Sequence, residues 1–425
     1  MSRSTHRSRR TVLLPTLLAT LLQIVLADGV SALQSDPTAR RSGPSRVLSA
    51  WRSEPPSEMP LPVIAAAAVE IGDRLHLLGG LDRDFEATAV IQSRRPGEEW
   101  RPIGDRLAKP RAEPSALRLA DGRVLLLGGF EGSLSEPSWH DDGELVDPAI
   151  AGSAVELPPF GTSLEGHSVT PLPDGTALVV AGRIARRLDP NAAPEELWGP
   201  AATLPESRRR HAAVRLDDRR VLIACGVASS ESAAPALRVV EIPRHPTAPP
   251  AVLEGPPAGA ADLPSDLRDA GAARDPDSRE ILLAGGFDPV SKRSVRGTWW
   301  IDVDRNMVRP GLPLPGMRGA ARLHLVETDG GIAMIGGEWR TPAARGPVDL
   351  GLLATGGAEV DRRLGLAPLP VSGTRRMRIL ADGIALIGGY RYRSPDEAAA
   401  TGLPAGVHFD TRRYRLSLAH PGGGD

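Results

Sequence analysis

The sequence predicts an all-β protein built from about seven repeats of a four-stranded antiparallel unit, and three observations carry that prediction. Four consecutive, mostly apolar residues followed by a small-Gly doublet recur seven times along the 425 residues. Each run is too short for a helix and suits a strand buried on both faces. A turn signal stands six to eight residues before every doublet, and it reads Asp-Gly at Asp121, Asp174, Asp329 and Asp382. Asp-Gly between apolar runs is a hairpin cue, because Gly accepts the positive φ that matches strand twist. The 46 Gly and 41 Pro lie above ordinary usage yet below the level of a disordered chain, so tight turns are plentiful.

The repeats begin with LHLL before Gly79-Gly80, VLLL before Gly128-Gly129, ALVV before Ala181-Gly182 and VLIA before Cys225-Gly226. They continue with ILLA before Gly285-Gly286, IAMI before Gly336-Gly337 and IALI before Gly388-Gly389. Spacings of 49, 53, 44, 60, 51 and 52 residues set the period near fifty. Looser turn signals at Asp73, Asp218 and Asp277 serve the remaining copies. A third segment ends at an acid, as at Asp147, Asp302, Asp304, Asp361 and Asp410, and a fourth carries Trp100 or Trp198. Gly356-Gly357 falls out of phase and is placed inside a third strand.

This pattern resembles the kelch repeat over roughly residues 46–418. Arg208-Arg209-Arg210-His211-Ala212, the doublets, the Asp closing the third strand and the later Trp stand where that repeat has them. The resemblance implies a seven-bladed β-propeller, one blade per repeat, around a central channel. For closure, Ser45–Pro62 reads as a fourth strand lacking its first three. It is expected to complete the last blade beside the C-terminal strand, with Val407–Asp410 third and Tyr414–Leu418 fourth; the reverse arrangement is the alternative.

The ends read differently. MSRSTHRSRR, an apolar run from Thr11 to Ala27 and Val30-Ser31-Ala32 follow the basic, apolar, small order of a secretory signal peptide, with a second cleavage position after Ala27. An uncleaved anchor is the alternative, and Arg9-Arg10 weakly resembles a twin-Arg signal. The expected organisation is a signal peptide at 1–32, a flexible leader at 33–45, the propeller at 46–420 and a disordered tail at 421–425. Location is then the periplasm, cell surface or exterior, with no stable membrane span after cleavage. A net charge of −1 gives no pull on nucleic acid. One cysteine, Cys225, excludes an internal disulfide and a Cys-based zinc cage.

For chemistry, no His pair has metal-ligand spacing, and no Gly-x-Ser-x-Gly elbow or P-loop is present. No cofactor or metal is expected. A kelch-type copper-radical oxidase needs a Cys–Tyr crosslink, whereas Tyr390, Tyr392 and Tyr414 all lie in the final unit and Cys225 takes a doublet position. Asp302-Val303-Asp304 opens like a calcium loop, but Met307 replaces the required Gly, so it reads as a turn. Asp141-Asp142 and Glu195-Glu196 read as solvated charges. His167 and His211 match the structural His of the repeat.

One face stands out. Arg111, Arg208 and Arg268 lie 17 residues before their doublets and Arg318 lies 18 before. Antiparallel pairing sends the loops with Trp139, Trp339, Tyr390 and Tyr392 to the same side. Arg beside aromatics suits anionic or sugar-like ligands, through stacking and bidentate hydrogen bonds. Packing of those rings at the loop bases, and a structural role for the Arg column, are the plainer readings. The expected function is a monomeric module that binds a protein or glycan partner. The alternative is a carbohydrate-active enzyme, of the sugar epimerase or lyase type, with its site at the channel mouth.

Overall fold

The turn acids fold the chain back on itself at short range. Arg123 N–H donates to Asp121 Oδ1 at 3.0 Å, and Thr176 N–H to Asp174 Oδ1 at 3.0 Å. Two looser turns use a neighbouring acid instead. Asp217, not Asp218, receives the amides of Arg219 and Arg220, and Asp275, not Asp277, receives those of Asp277 and Ser278. Such side-chain-to-backbone bonds hold a tight turn without further help.

The computed structural model describes residues 47–53 and 60–365, and beyond these only the strands between 376 and 419. Positions 96, 149, 151, 232, 246, 259–260, 329–330, 349–350, 356 and 358–361 also lie outside the described residues, and past Gly357 only backbone is described. The expected signal peptide, leader and tail, together with Asp329, Asp361, Asp382, Asp410 and Gly388-Gly389, therefore fall outside.

The protein is a β-propeller. The Gly79 unit pairs Ala67–Ile71, Arg74–Leu78, Val90–Arg94 and Arg101–Arg106 in that spatial order. The Gly128 unit pairs Ser115–Arg118, Val124–Leu127, Gly143–Val146 and Val155–Glu156. Ala212–Arg215, Arg220–Ala224, Leu237–Glu241 and Ala251–Glu254 form the Cys225 unit. Gly271–Arg274, Ile281–Ala284, Thr298–Asp302 and Met307–Pro310 form the Gly285 unit. The Gly336 unit has His324–Thr328, Gly331–Ile335, Gly351–Thr355 and Arg362–Gly365. The third strand ends at Thr355, so Gly357 follows it rather than lying within it.

The last sheet runs Arg376–Leu380, Gly383–Ile387, Arg413–Ala419 and then Val47–Ser53, so the N-terminal strand forms its outer edge. Its third strand is the segment expected fourth. Residues 406–409, expected third, instead pair with Tyr390–Arg393 in a separate hairpin.

Six sheets are four-stranded, where seven such blades were expected, and the Ala181 unit departs. In five units the first doublet residue is left-handed (Gly79, Gly128, Cys225, Gly285 and Gly336, φ 61–68°), which ends the second strand and turns the chain. Ala181 stays extended, so one strand runs from Ala177 to Leu188. Its near half pairs with Ser168–Pro171 and its far half with Ala202–Arg208, making a three-stranded sheet. A Cβ disfavours the left-handed region, and here the chain does not enter it.

First strands stand side by side in chain order, from Ala67–Ile71 through Ser115–Arg118, Ser168–Pro171, Ala212–Arg215 and Gly271–Arg274 to His324–Thr328. The four-residue runs fill the space between sheets with alternate side chains. Leu222 and Ala224 pack with Ile281 and Leu283, while Val221 and Ile223 pack with Leu178 and Val180. Leu282 and Ala284 meet Ile332 and Met334. Each buried aliphatic side chain contributes about 1.5–3 kcal/mol, so every second strand stabilises two interfaces. No helix among the described residues is long and apolar enough to cross a membrane.

Candidate functional site at the mouth of the propeller

The residue two places before six of the first strands repeats one backbone geometry. Ala65, Glu113, Gly166, Arg210, Asp269 and Arg322 all have φ between 54° and 60°. Their amides and carbonyls form a belt from unit to unit. Glu113 N–H donates to Ala65 O at 2.8 Å and Arg210 to Gly166 O at 2.8 Å. Asp269 donates to Arg210 O at 2.9 Å and Arg322 to Asp269 O at 2.7 Å. Left-handed non-glycine residues cost about 1–3 kcal/mol each and persist where surroundings enforce them. Here the inter-unit bonds supply that enforcement.

The belt carries charge. Arg210 Nη1 lies 3.6 Å from Asp269, and Arg322 Nε lies 3.4 Å from Asp269 and 3.7 Å from Glu338. Glu338 and Arg340 come from the hairpin after the Gly336-Gly337 doublet, and Arg340 donates to Glu338 while lying over the Phe287 ring. Burial opposes the Asp269 carboxylate, but Arg322, Arg210 and Arg340 hold its pKa below the ordinary value. Burial likewise opposes the Arg322 cation, and Asp269, Glu338 and Glu113 raise it nonetheless. Gly166 makes room for Arg210, whose Cγ would lie 2.9 Å from a Cβ there.

The Arg column divides. Arg111 is fully buried, with Nε on Glu144 at 2.5 Å, Nη2 on Asp142 at 2.6 Å and Nη1 on the Gly128 carbonyl at 2.8 Å. Arg208 is also fully buried, bonded to Glu206 and to the carbonyls of Cys225, Ala236 and Pro235. Both tie a first-strand approach to the doublet 17 residues on, which is the structural role weighed for them above. Arg268 is half-buried and its backbone bridges Phe287. Arg318 is exposed, its guanidinium 3.8 Å above the Trp339 ring.

Trp139 packs edge-on against Phe130 at 5.0 Å at the base of its hairpin. Tyr390 and Tyr392 lie on the strand Tyr390–Arg393, whose side chains fall outside the described residues. Asp142, expected as a solvated charge, is buried under Lys109 and Arg111. Glu195 and Glu196 are exposed on a short 3-10 turn.

His167 and His211 are buried, with Ser168 Oγ 2.7 Å from His211 Nε2. Burial brings the His167 pKa down to about 4; burial, with Arg208 and His167 nearby, brings His211 to about 3. Cys225 is sealed among aliphatic side chains including Ala212, Leu237 and Leu267, and burial pushes its thiol up to about 12. Asp302 receives the Arg305 amide at 2.8 Å and closes the turn between third and fourth strands.

A scan against protein families finds no match, and neither does a search of curated proteins. Solved structures do match. One described as "Structure of YjhT" is 14% identical, covers 73% of this chain and 99% of its own, and superposes with a TM-score of 0.50. A fungal alcohol oxidase of the AA5 family, in complex with copper, is 13% identical, covers 88% of this chain and 77% of its own, with a TM-score of 0.58. At these identities the likeness is one of fold, and it identifies the chain as a β-propeller.

Proposed function

We propose that this chain is an exported, kelch-type propeller that binds a protein or glycan partner through the face carrying the doublet hairpins. In this reading the three-stranded Ala181 sheet is an atypical seventh blade, since its first strand stands between those of its neighbours. The observation that carries the function is the stacked pair Arg318–Trp339. An exposed guanidinium held over an indole is a preformed flat platform, and Met317 beside it is 99% exposed. Such aromatic–Arg pairs offer a partner stacking area and bidentate donors together.

Glycan and peptide arrays probed with the purified chain test this reading. Once a ligand is found, Arg318→Ala and Trp339→Ala should each weaken it by about 1–3 kcal/mol with an unchanged melting temperature. Binding untouched by both substitutions overturns it.

The charged belt favours a second reading, a carbohydrate-active enzyme with its site at the channel mouth. Buried carboxylates whose pKa values are shifted by arginine neighbours are the kind of group that gathers at enzyme sites, as bases or charge stabilisers. Among the described residues no three His, Cys, Asp or Glu side chains converge as metal ligands, and Cys225 is enclosed. Conversion of a captured sugar, followed by NMR, separates enzyme from binder.

A further inference from the structure

Two of the acids acting on Arg322, Asp269 and Glu338, make their ion-pair contacts at Nε, at 3.4 and 3.7 Å. Nη1 and Nη2 find no hydrogen-bond acceptor among the described residues, and Nε too lies beyond hydrogen-bond geometry. The side chain is only 7% exposed. A buried cation with its two terminal nitrogens unsatisfied is costly, because each unmade bond forfeits hydration without replacement. The left-handed belt fixes the backbone of Arg322, through its N–H bond to Asp269 O, and so sets where the side chain starts. Arg210, on the opposite side of Asp269, adds a second cation.

Two parallel N–H donors on a planar fork match the two oxygens of one carboxylate. We propose that Arg322 anchors a binding site for the carboxylate group of a small organic acid at the mouth of the propeller. Asp269 and Glu338 do not compete for the same atoms, since their contacts are at Nε. They instead hold the guanidinium in plane and select against ligands that bring several negative charges close together. The proposal rests on the reading of this face as a ligand surface and adds the chemical class it selects.

Benzoate is the probe, with benzamide as the neutral isostere, each titrated calorimetrically into the wild-type chain and into Arg322→Lys and Arg322→Met. Wild type should bind benzoate and not benzamide. Arg322→Met should lose that binding by tenfold or more, on the order expected for hydrogen bonds to a charged group. Where removal of the cation leaves Asp269 and Glu338 unpaired and the fold fails, Arg322→Lys keeps the charge without the fork. That variant should melt as wild type does and still bind benzoate about tenfold more weakly. Equal binding of benzoate and benzamide, binding of neither, or wild-type affinity in a folded Arg322→Lys protein overturns the proposal. Array hits that are neutral and indifferent to Arg322→Lys would sink this site while leaving the ligand-face reading intact. Benzoate binding with empty arrays would do the reverse.

Discussion

Arg111 and Glu144 meet in complete burial, Nε to Oε1 at 2.5 Å, with neither side chain reaching solvent. Glu144 also accepts the Ala108 amide at 2.6 Å, so one carboxylate fixes the approach to the Gly128 unit at two points. Breaking a buried pair leaves an uncompensated charge, which costs more than the pair itself contributes. Glu144→Ala should destabilise by about 3–5 kcal/mol in denaturant unfolding. The double variant with Arg111→Met should recover part of that loss, and a strictly additive result would contradict the pairing.

The doublet glycines are held by space as well as by φ. A Cβ on Gly129, at φ +81°, would lie 2.7 Å from the Ala112 carbonyl oxygen, whereas one on Gly175, at φ +83°, would meet nothing. Gly175→Ala should therefore cost only the conformational strain, about 1 kcal/mol. Gly129→Val should cost several times as much, through overpacking added to strain. Chemical unfolding of the two variants side by side measures the difference.

Buried neutral histidines make the fold acid-sensitive. His76 and His167 titrate at about 4 and His211 at about 3, against an ordinary value of 6.5. Burial is the leading cause in all three. Their folded pKa values are depressed, so the unfolded chain binds more protons between pH 6.5 and 4. Stability present above pH 6.5 is lost as the pH falls through that window. Each contributes a slope of at most about 1.4 kcal/mol per pH unit. His211→Gln should flatten the measured slope, and an unchanged slope would show that His211 is not buried as a neutral ring.

Cys225 should resist thiol reagents in the native state. Its thiol sits at about 12 because burial disfavours the thiolate, and the thiolate is the reactive form. Labelling followed by mass spectrometry should proceed only as fast as the chain unfolds. Rapid labelling under native conditions would place the thiol outside the aliphatic cluster.

Cleavage of the leader is tested by intact mass. Protein recovered from the periplasm or medium should begin at Leu33, or at Asp28 if the earlier position is used. Recovery solely in a membrane pellet at full mass would make the N-terminal run an anchor.

What the sequence revealed depended on which residues are set by local rules. The apolar quartets, the Asp turns and the doublets are short-range features, and they fold as hairpins with buried second strands. Ala181 escaped that logic. Its unit has the quartet and the turn at Asp174, but nothing local announces that Ala181 will stay extended where Cys225, also bearing a Cβ, turns left-handed. The belt was hidden by alignment. Counted back from the doublets, Glu113, Arg210, Asp269 and Arg322 sit 15, 15, 16 and 14 residues away, because the first hairpins differ in length. Counted forward to the first strand they fall in one column. Arg111 and Arg208, 17 residues before their doublets, were visible for a structural reason, since each reaches across to the doublet carbonyl.

Closing the last sheet with Val47–Ser53 has a consequence for the order of events on the ribosome. Val47–Ser53 pairs with Arg413–Ala419, strands drawn from the two ends of the described residues. The intervening sheets are each assembled from contiguous sequence and can form as they emerge. The last described one must wait until residues 413–419 have been made, with Val47–Ser53 held unpaired until then. A chain stalled or clipped before residue 413 would retain most of its sheets yet present two unpaired strand edges, an invitation to join with another copy.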